Sequence, residues 1–275
     1  MSTSTHLASP ALRSATEPLL LAGATANVVM QLAHMPVGHG VAKSSVDSGN
    51  VMIHPWKRLR TTLSYLAVAM LGTDAEKLAY RRAVDGAHRH VVSAPGAEVA
   101  YNAFDQDLQL WVAACIYQGF ALGHEAMHGP LDDGLAEALY QEASTFGTTL
   151  QVPRDMWPAD RAAFADYWER GLQATEVDDL TRDYLWGLTN LLQLPAWQRW
   201  PFVRLNRFLT TGFLPADLRT KLDLPWSPRR QRRFDRIFRS LGVLSRFQPR
   251  PVREFPYNVL MWDVRRRIRL GRPLV

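Results

Sequence analysis

Between Asp105 and Gly129 the chain runs "QDLQLWVAACIYQGFALGHEAMH", 23 residues without a proline and with too few polar side chains to form a wet face. A run of that length exceeds an ordinary strand, and its apolar residues fall on most sides of a helix. A helix that is apolar nearly all round must be enclosed by other elements. Asp105 is placed to cap its start, and Gly129 with Pro130 to end it. The segment therefore predicts a domain assembled around one central helix.

The remaining sequence supplies helices to enclose it, and strand-like alternation is scarce. "HPWKRLRTTLSYLAVAMLGT" predicts a helix that starts at Pro55 and stops at Gly72, and Thr73 or Asp74 can cap the next, which runs to about Val92. Further helices are expected over 17–34, 132–149, 158–173, 178–193, 197–211, 228–241 and 255–269, with a Gly/Pro loop through "MPVGHG" and a short helix over 39–44. The fold class expected is all-α: a flexible segment over 1–16, then a single helical domain over 17–275. A chain of 275 residues buries an ample core without disulfides, so Cys115, in an apolar run, is expected as a buried thiol rather than a nucleophile.

The N-terminal sequence lacks the basic start, unbroken apolar core and small-residue cleavage site of a secretory signal, which favours a cytoplasmic location. Leu19 to Leu32 is interrupted by Gly23, Thr25, Asn27 and Gln31 and falls short of the ~20 apolar residues of a membrane span. It is expected as a buried helix. The formal charge of +6 is uneven: residues 227–275 hold 14 Arg and 3 acidic residues, 14 − 3 = +11, leaving 6 − 11 = −5 for the rest. Arginines interleaved with Phe234, Ile237 and Phe238 suit solvated helix faces or peripheral contact with an anionic membrane. No nucleic-acid-binding motif accompanies them, so nucleic acid is not the expected partner.

Two groups of histidines are candidates for chemistry. In "RRAVDGAHRHVVS", at ~100° per residue, Val84 and Val91 fall within about 40° and 60° of His88, whereas His90 falls about 160° away. His88 is therefore expected inward and His90 on the wetter face. The second group is "HEAMH", in which His124 and His128 one turn apart could bind zinc and Glu125 could activate water. Against a zinc hydrolase, the helix stops directly after His128, no G-x-x-H continuation follows, and Glu137 and Glu142 are nearer than a separate ligand helix would place them.

The ordered strings "LLLAGATANVVMQLAH", "RLRTTLSYLAVAMLGT", "AHRHV", "YNAFDQDLQLWVAA", "HGPL", "FLPADLR" and "LMWDVRRRIRLGRPLV" resemble a bacterial oxygenase family. That family groups mycophenolic-acid-type oxygenases with the rubber oxygenase (latex-clearing protein) catalytic domain. The resemblance implies an all-α, globin-like core around haem b, with one axial histidine. The family's His-to-Val pattern falls, with one residue of slippage, on His88 and Val91, so the resemblance and the helical wheel select the same iron ligand. Its Arg-x-x-x-Thr pattern falls on Arg58 and Thr62, implying a guanidinium for a haem propionate and a hydroxyl for bound oxygen or water. Where rubber-cleaving members carry a lysine, this chain has Thr61, which argues against a polyisoprene substrate. Trp111 and Tyr117, on the central helix, are weaker candidates for lining the cofactor site.

These readings lead first to a haem b-dependent oxygenase acting on an apolar small molecule, with His88 as ligand and Arg58 and Thr62 in support. A zinc hydrolase using His124, Glu125 and His128 is one alternative. The other is a haem or lipid carrier that binds without turnover.

Overall fold

The computed structural model describes Leu12, residues 17–44 and residues 46–275; the flexible segment expected over 1–16 lies, apart from Leu12, outside the described residues. The described residues are helical, with one isolated bridge between Val92 and Asn102 and no strands. A 3-10 turn over Pro18–Gly23 leads into α1 (Ala24–Leu32), followed by α2 (Met35–Ala42), α3 (Pro55–Leu71), α4 (Asp74–His88) and α5 (Gln106–His128). Then come α6 (Asp133–Ala143), α7 (Arg161–Gln173), α8 (Asp179–Thr189), α9 (Val203–Phe213), α10 (Ala216–Lys221), α11 (Pro228–Ser245) and α12 (Tyr257–Arg269). Single helical turns cover Thr145–Thr148, Ala196–Arg199 and Arg250–Arg253.

The central helix is α5, capped by the Asp105 carboxylate on the N–H groups of Asp107 and Leu108 and ended by Gly129 at φ 83°. Around it pack α1, α11 and the turn Thr145–Thr148. The Cys115 thiol, fully buried in it, has its pKa pushed well up by desolvation, which suits a packing residue and not a nucleophile. Close approach of α11 to α5 is made possible by Gly242, where a Cβ would stand 2.0 Å from the Met127 carbonyl oxygen. On another side α3 lies between α12 and α4 and touches the turn Thr145–Thr148.

Several expected boundaries shift. "MPVGHG" is helical, not a loop: Pro36 sits in the first turn of α2, where its missing N–H costs nothing, and a Cβ on Gly38 would stand 2.5 Å from the Leu32 carbonyl oxygen. The long helices expected over 132–149 and 197–211 are each divided in two, the second beside Pro201. The short helix α10 was not expected. The helix expected to reach Val92 stops at His88, because residues 91–103 fold back: Ala103 N–H donates to Val91 O and Ser93 N–H to Tyr101 O. The segment Leu19–Leu32 is packed into the core, with Leu20, Val29, Met30 and Leu32 all buried. Among the described residues no single helix is long and apolar enough to cross a membrane.

Candidate functional site

The elbow between α3 and α4 brings Arg58 and His88 together. Gly72 ends α3, and Thr73 opens α4 with a reciprocal cap: its hydroxyl accepts from Glu76 N–H at 3.3 Å while the Glu76 carboxylate accepts from Thr73 N–H at 2.8 Å. The second helix thus folds back beside the first. His88 occupies its last residue, and the hairpin that follows returns Phe104 to it, edge-on at 6.2 Å between ring centroids.

The surroundings of His88 hold its imidazole neutral. Its pKa is lowered to about 4, first by desolvation and then by the Arg58 guanidinium, with Asp85 acting weakly in the opposite sense. Its Nδ1 is buried without a hydrogen-bond partner. His90 is exposed. Val91 lies beyond the helix, so its place on the wheel was not real; Val84, packed against the core, still marks the face that His88 shares.

Arg58 is exposed, although partial desolvation by its neighbours lowers its pKa. Among the described residues it has no carboxylate partner; the groups that act on it electrostatically are Tyr184 and Tyr80. The Tyr184 hydroxyl is itself buried without a partner. Thr62 lies one turn from Arg58 along α3 and is partly exposed. Thr61 instead points into the core: its hydroxyl donates to Arg58 O at 3.0 Å and its carbonyl accepts from the Tyr80 hydroxyl at 2.7 Å.

Sequence reasoning missed Tyr184 and Phe104. Neither has a spacing signal that ties it to α3 or α4, because each arrives through the fold. Trp111 and Tyr117 belong to other clusters. Trp111 stacks on Trp168 at 5.1 Å and donates its indole N–H to Gln31 O at 3.3 Å, whereas Tyr117 meets Tyr140, Trp157 and Phe164 edge-on. Their ring contacts include neither His88 nor Phe104.

His124 and His128 are neighbours, with ring centroids 4.9 Å apart, but His128 Nε2 is engaged with the Glu17 carboxylate at 3.0 Å and Glu125 is exposed. Among the described residues no group of three or more His, Cys, Asp or Glu side chains is arranged to hold a metal ion. Two surface depressions, of about 480 and 620 Å³, lie beside Trp262 and Trp226 and are not lined by His88, Arg58 or Thr62.

Residues 13–246 match the family model described as ER-bound oxygenase mpaB/B'/Rubber oxygenase, catalytic domain. The chain belongs to this oxygenase family. Uncharacterized protein Rv2237 of Mycobacterium tuberculosis and Uncharacterized protein Mb2261 of Mycobacterium bovis are each 48% identical to it over 254 residues, covering 91% of this chain and 98% of theirs. No solved structure matches. Membership of the oxygenase family makes an oxidoreductase the expected class of enzyme.

Proposed function

We propose that this protein is a haem b-dependent oxygenase acting on an apolar small molecule, in which His88 would hold the iron. The observation that carries the reading is a neutral, desolvated imidazole within electrostatic reach of a guanidinium that has no carboxylate partner among the described residues. A neutral imidazole offers iron a lone pair, and a desolvated guanidinium is completed by an anion such as a propionate. The residues present therefore fit the group. When bound, haem supplies the activation of oxygen; the protein supplies position, electrostatics and dryness.

Each side chain has a distinct part. His88 presents its ring from the end of a rigid helix, packed edge-on by Phe104, and its proton affinity is too low for a proton to compete for the lone pair at neutral pH. Arg58 would hold an anionic substituent, near the unpartnered Tyr184 hydroxyl. Thr62, on the same face of α3, offers a hydroxyl to a small polar ligand. The globin-like arrangement of helices around the group belongs to the same proposal. Polyisoprene does not: the position of the expected lysine is Thr61, whose hydroxyl is committed to a backbone carbonyl in the core.

The test is the visible absorption spectrum of protein produced with ample haem, compared with His88→Ala and His90→Ala. The expected result is a Soret band present in the wild type and His90→Ala and lost in His88→Ala. A wild type with no Soret band after haem loading would overturn the haem reading. A band that survives in His88→Ala would overturn the ligand assignment. Oxygen uptake with apolar compounds then separates an oxygenase from a carrier.

A further inference from the structure

Residues 184–215 contain no Asp or Glu and three Arg, at 199, 204 and 207. Within this acid-free stretch, large apolar side chains stand in solvent: Trp197 is 76% exposed, Trp200 81% and Phe202 57%. Most protein surfaces scatter such residues singly, whereas here they come within six positions, at the turn Ala196–Arg199 and the start of α9. The inner side of α9 explains why the segment is held firmly: Thr210, Thr211 and Phe213 are buried, and Asn206 donates to Thr189 O at 2.9 Å. Its outer side carries Arg204, Leu205 and Arg207, all exposed. The basic surface continues onto α11, where Arg233 lies over the Phe208 ring of α9 at 5.7 Å.

We infer that this surface, Trp197, Trp200 and Phe202 with the flanking Arg204 and Arg207, docks the protein on an anionic lipid bilayer. Tryptophan suits the interface between headgroups and acyl chains, because its ring is apolar and its N–H polar. Arginines beside it find phosphate there, each strengthening attraction to anionic lipid. A second copy of the chain is the poorer occupant: a two-fold contact would bring these arginines against their own copies, with no carboxylate in the segment to offset them.

The same acid-free segment also touches the chain that leads into α3. Trp186 and Leu192 are exposed at the end of α8, and Gly187 brings Met52, just before α3, into contact at 3.2 Å from where a Cβ would be. From there Trp56 and Leu59, both exposed, flank Arg58 on α3. An apolar molecule dissolved in the bilayer would thus be delivered at the Arg58 end of the site. This delivery rests on the proposed oxygenase function; the docking does not.

The test uses the full chain and sedimentation with phosphatidylcholine vesicles, with and without phosphatidylglycerol, at low and at physiological salt. The variants are Trp197→Ser with Trp200→Ser, Arg204→Glu with Arg207→Glu, and Trp262→Ser as an exposed tryptophan on α12. All change exposed side chains, and unchanged circular dichroism and urea midpoints verify their folding. Binding to phosphatidylglycerol vesicles that weakens with salt, falls at least about tenfold in each double variant and persists in Trp262→Ser is the expected result. Absence of wild-type binding at low salt, or equal binding by all four proteins, would overturn the proposal. So would a wild-type dimer on size-exclusion chromatography that Trp197→Ser with Trp200→Ser converts to monomer, because the surface would then be a self-association interface. None of these readouts depends on haem.

Discussion

The Arg58 guanidinium lies within electrostatic reach of the His88 imidazole and lowers its proton affinity, although the two side chains come from different helices. The arrangement sets a cation with no carboxylate partner among the described residues within reach of an unprotonated base. Two such groups repel rather than complete each other whenever the base takes a proton, so an anion and an electron-pair acceptor are what the pair lacks.

Arg58→Gln removes the cation while retaining a polar side chain. We expect haem to be lost from this variant about tenfold more readily, the effect of one charge-assisted hydrogen bond, with the Soret band retained on reconstitution. Transfer of haem to a scavenging globin measures the rate. A dissociation rate equal to that of the wild type would exclude Arg58 as the partner of the group.

His124→Gln with His128→Gln should leave haem content unchanged, because His128 is already paired with Glu17 and no third ligand among the described residues joins the two rings. Elemental analysis of both proteins provides the check. Stoichiometric zinc in the wild type that disappears in the double variant would establish the hydrolytic alternative in its place.

Gly242→Ala and Gly86→Ala should have opposite effects. The added methyl at Gly242 meets the Met127 carbonyl 2.0 Å away and forces α11 off α5, a cost of about 1–3 kcal/mol. At Gly86, within α4, it meets nothing within 4 Å, and the helix gains about 0.5–1 kcal/mol. Urea unfolding midpoints moving in the same direction for both variants would contradict the packing described.

The contact between α2 and α8 should respond to pH through Asp178. Burial raises this carboxyl's pKa, but Thr181, whose N–H donates to it at 2.9 Å, followed by His39, outweighs that and holds the value at about 2. His39 is buried and meets Asp178 Oδ2 at 2.6 Å. A depressed carboxylate contributes stability above its unfolded value of 3.8 and loses it as pH falls through about 2. With its side chain 35% exposed, solvent screening leaves of order 1 kcal/mol. Asp178→Ala should cost about 2 kcal/mol at pH 7, since it removes the cap of α8 and strands His39; Asp178→Asn, which can still cap, should cost less. Urea titrations at pH 7 and pH 3 give both quantities.

The sequence by itself determined the helical class, the central position of α5 and the inward direction of His88, because these depend on periodicity and on caps formed by residues near in the chain. Asp105 and Gly129 act over a few positions and bound α5 as expected, while of the two caps open for α4, Thr73 and Asp74, the structure uses Thr73. Where the chain turns back on itself, local patterns failed: α4 ends at His88 because residues 91–103 pair with one another, and "MPVGHG" is helical because its glycines let α2 pack closely. Tyr184 and Phe104 join Arg58 and His88 only in the tertiary structure, since their approach is set by how α8 and the hairpin pack and not by any spacing along the chain. The exposed tryptophans are the same kind of case. Tryptophan in a sequence predicts burial, and only the packed structure decided that Trp111 enters the core while Trp197 and Trp200 stay outside it.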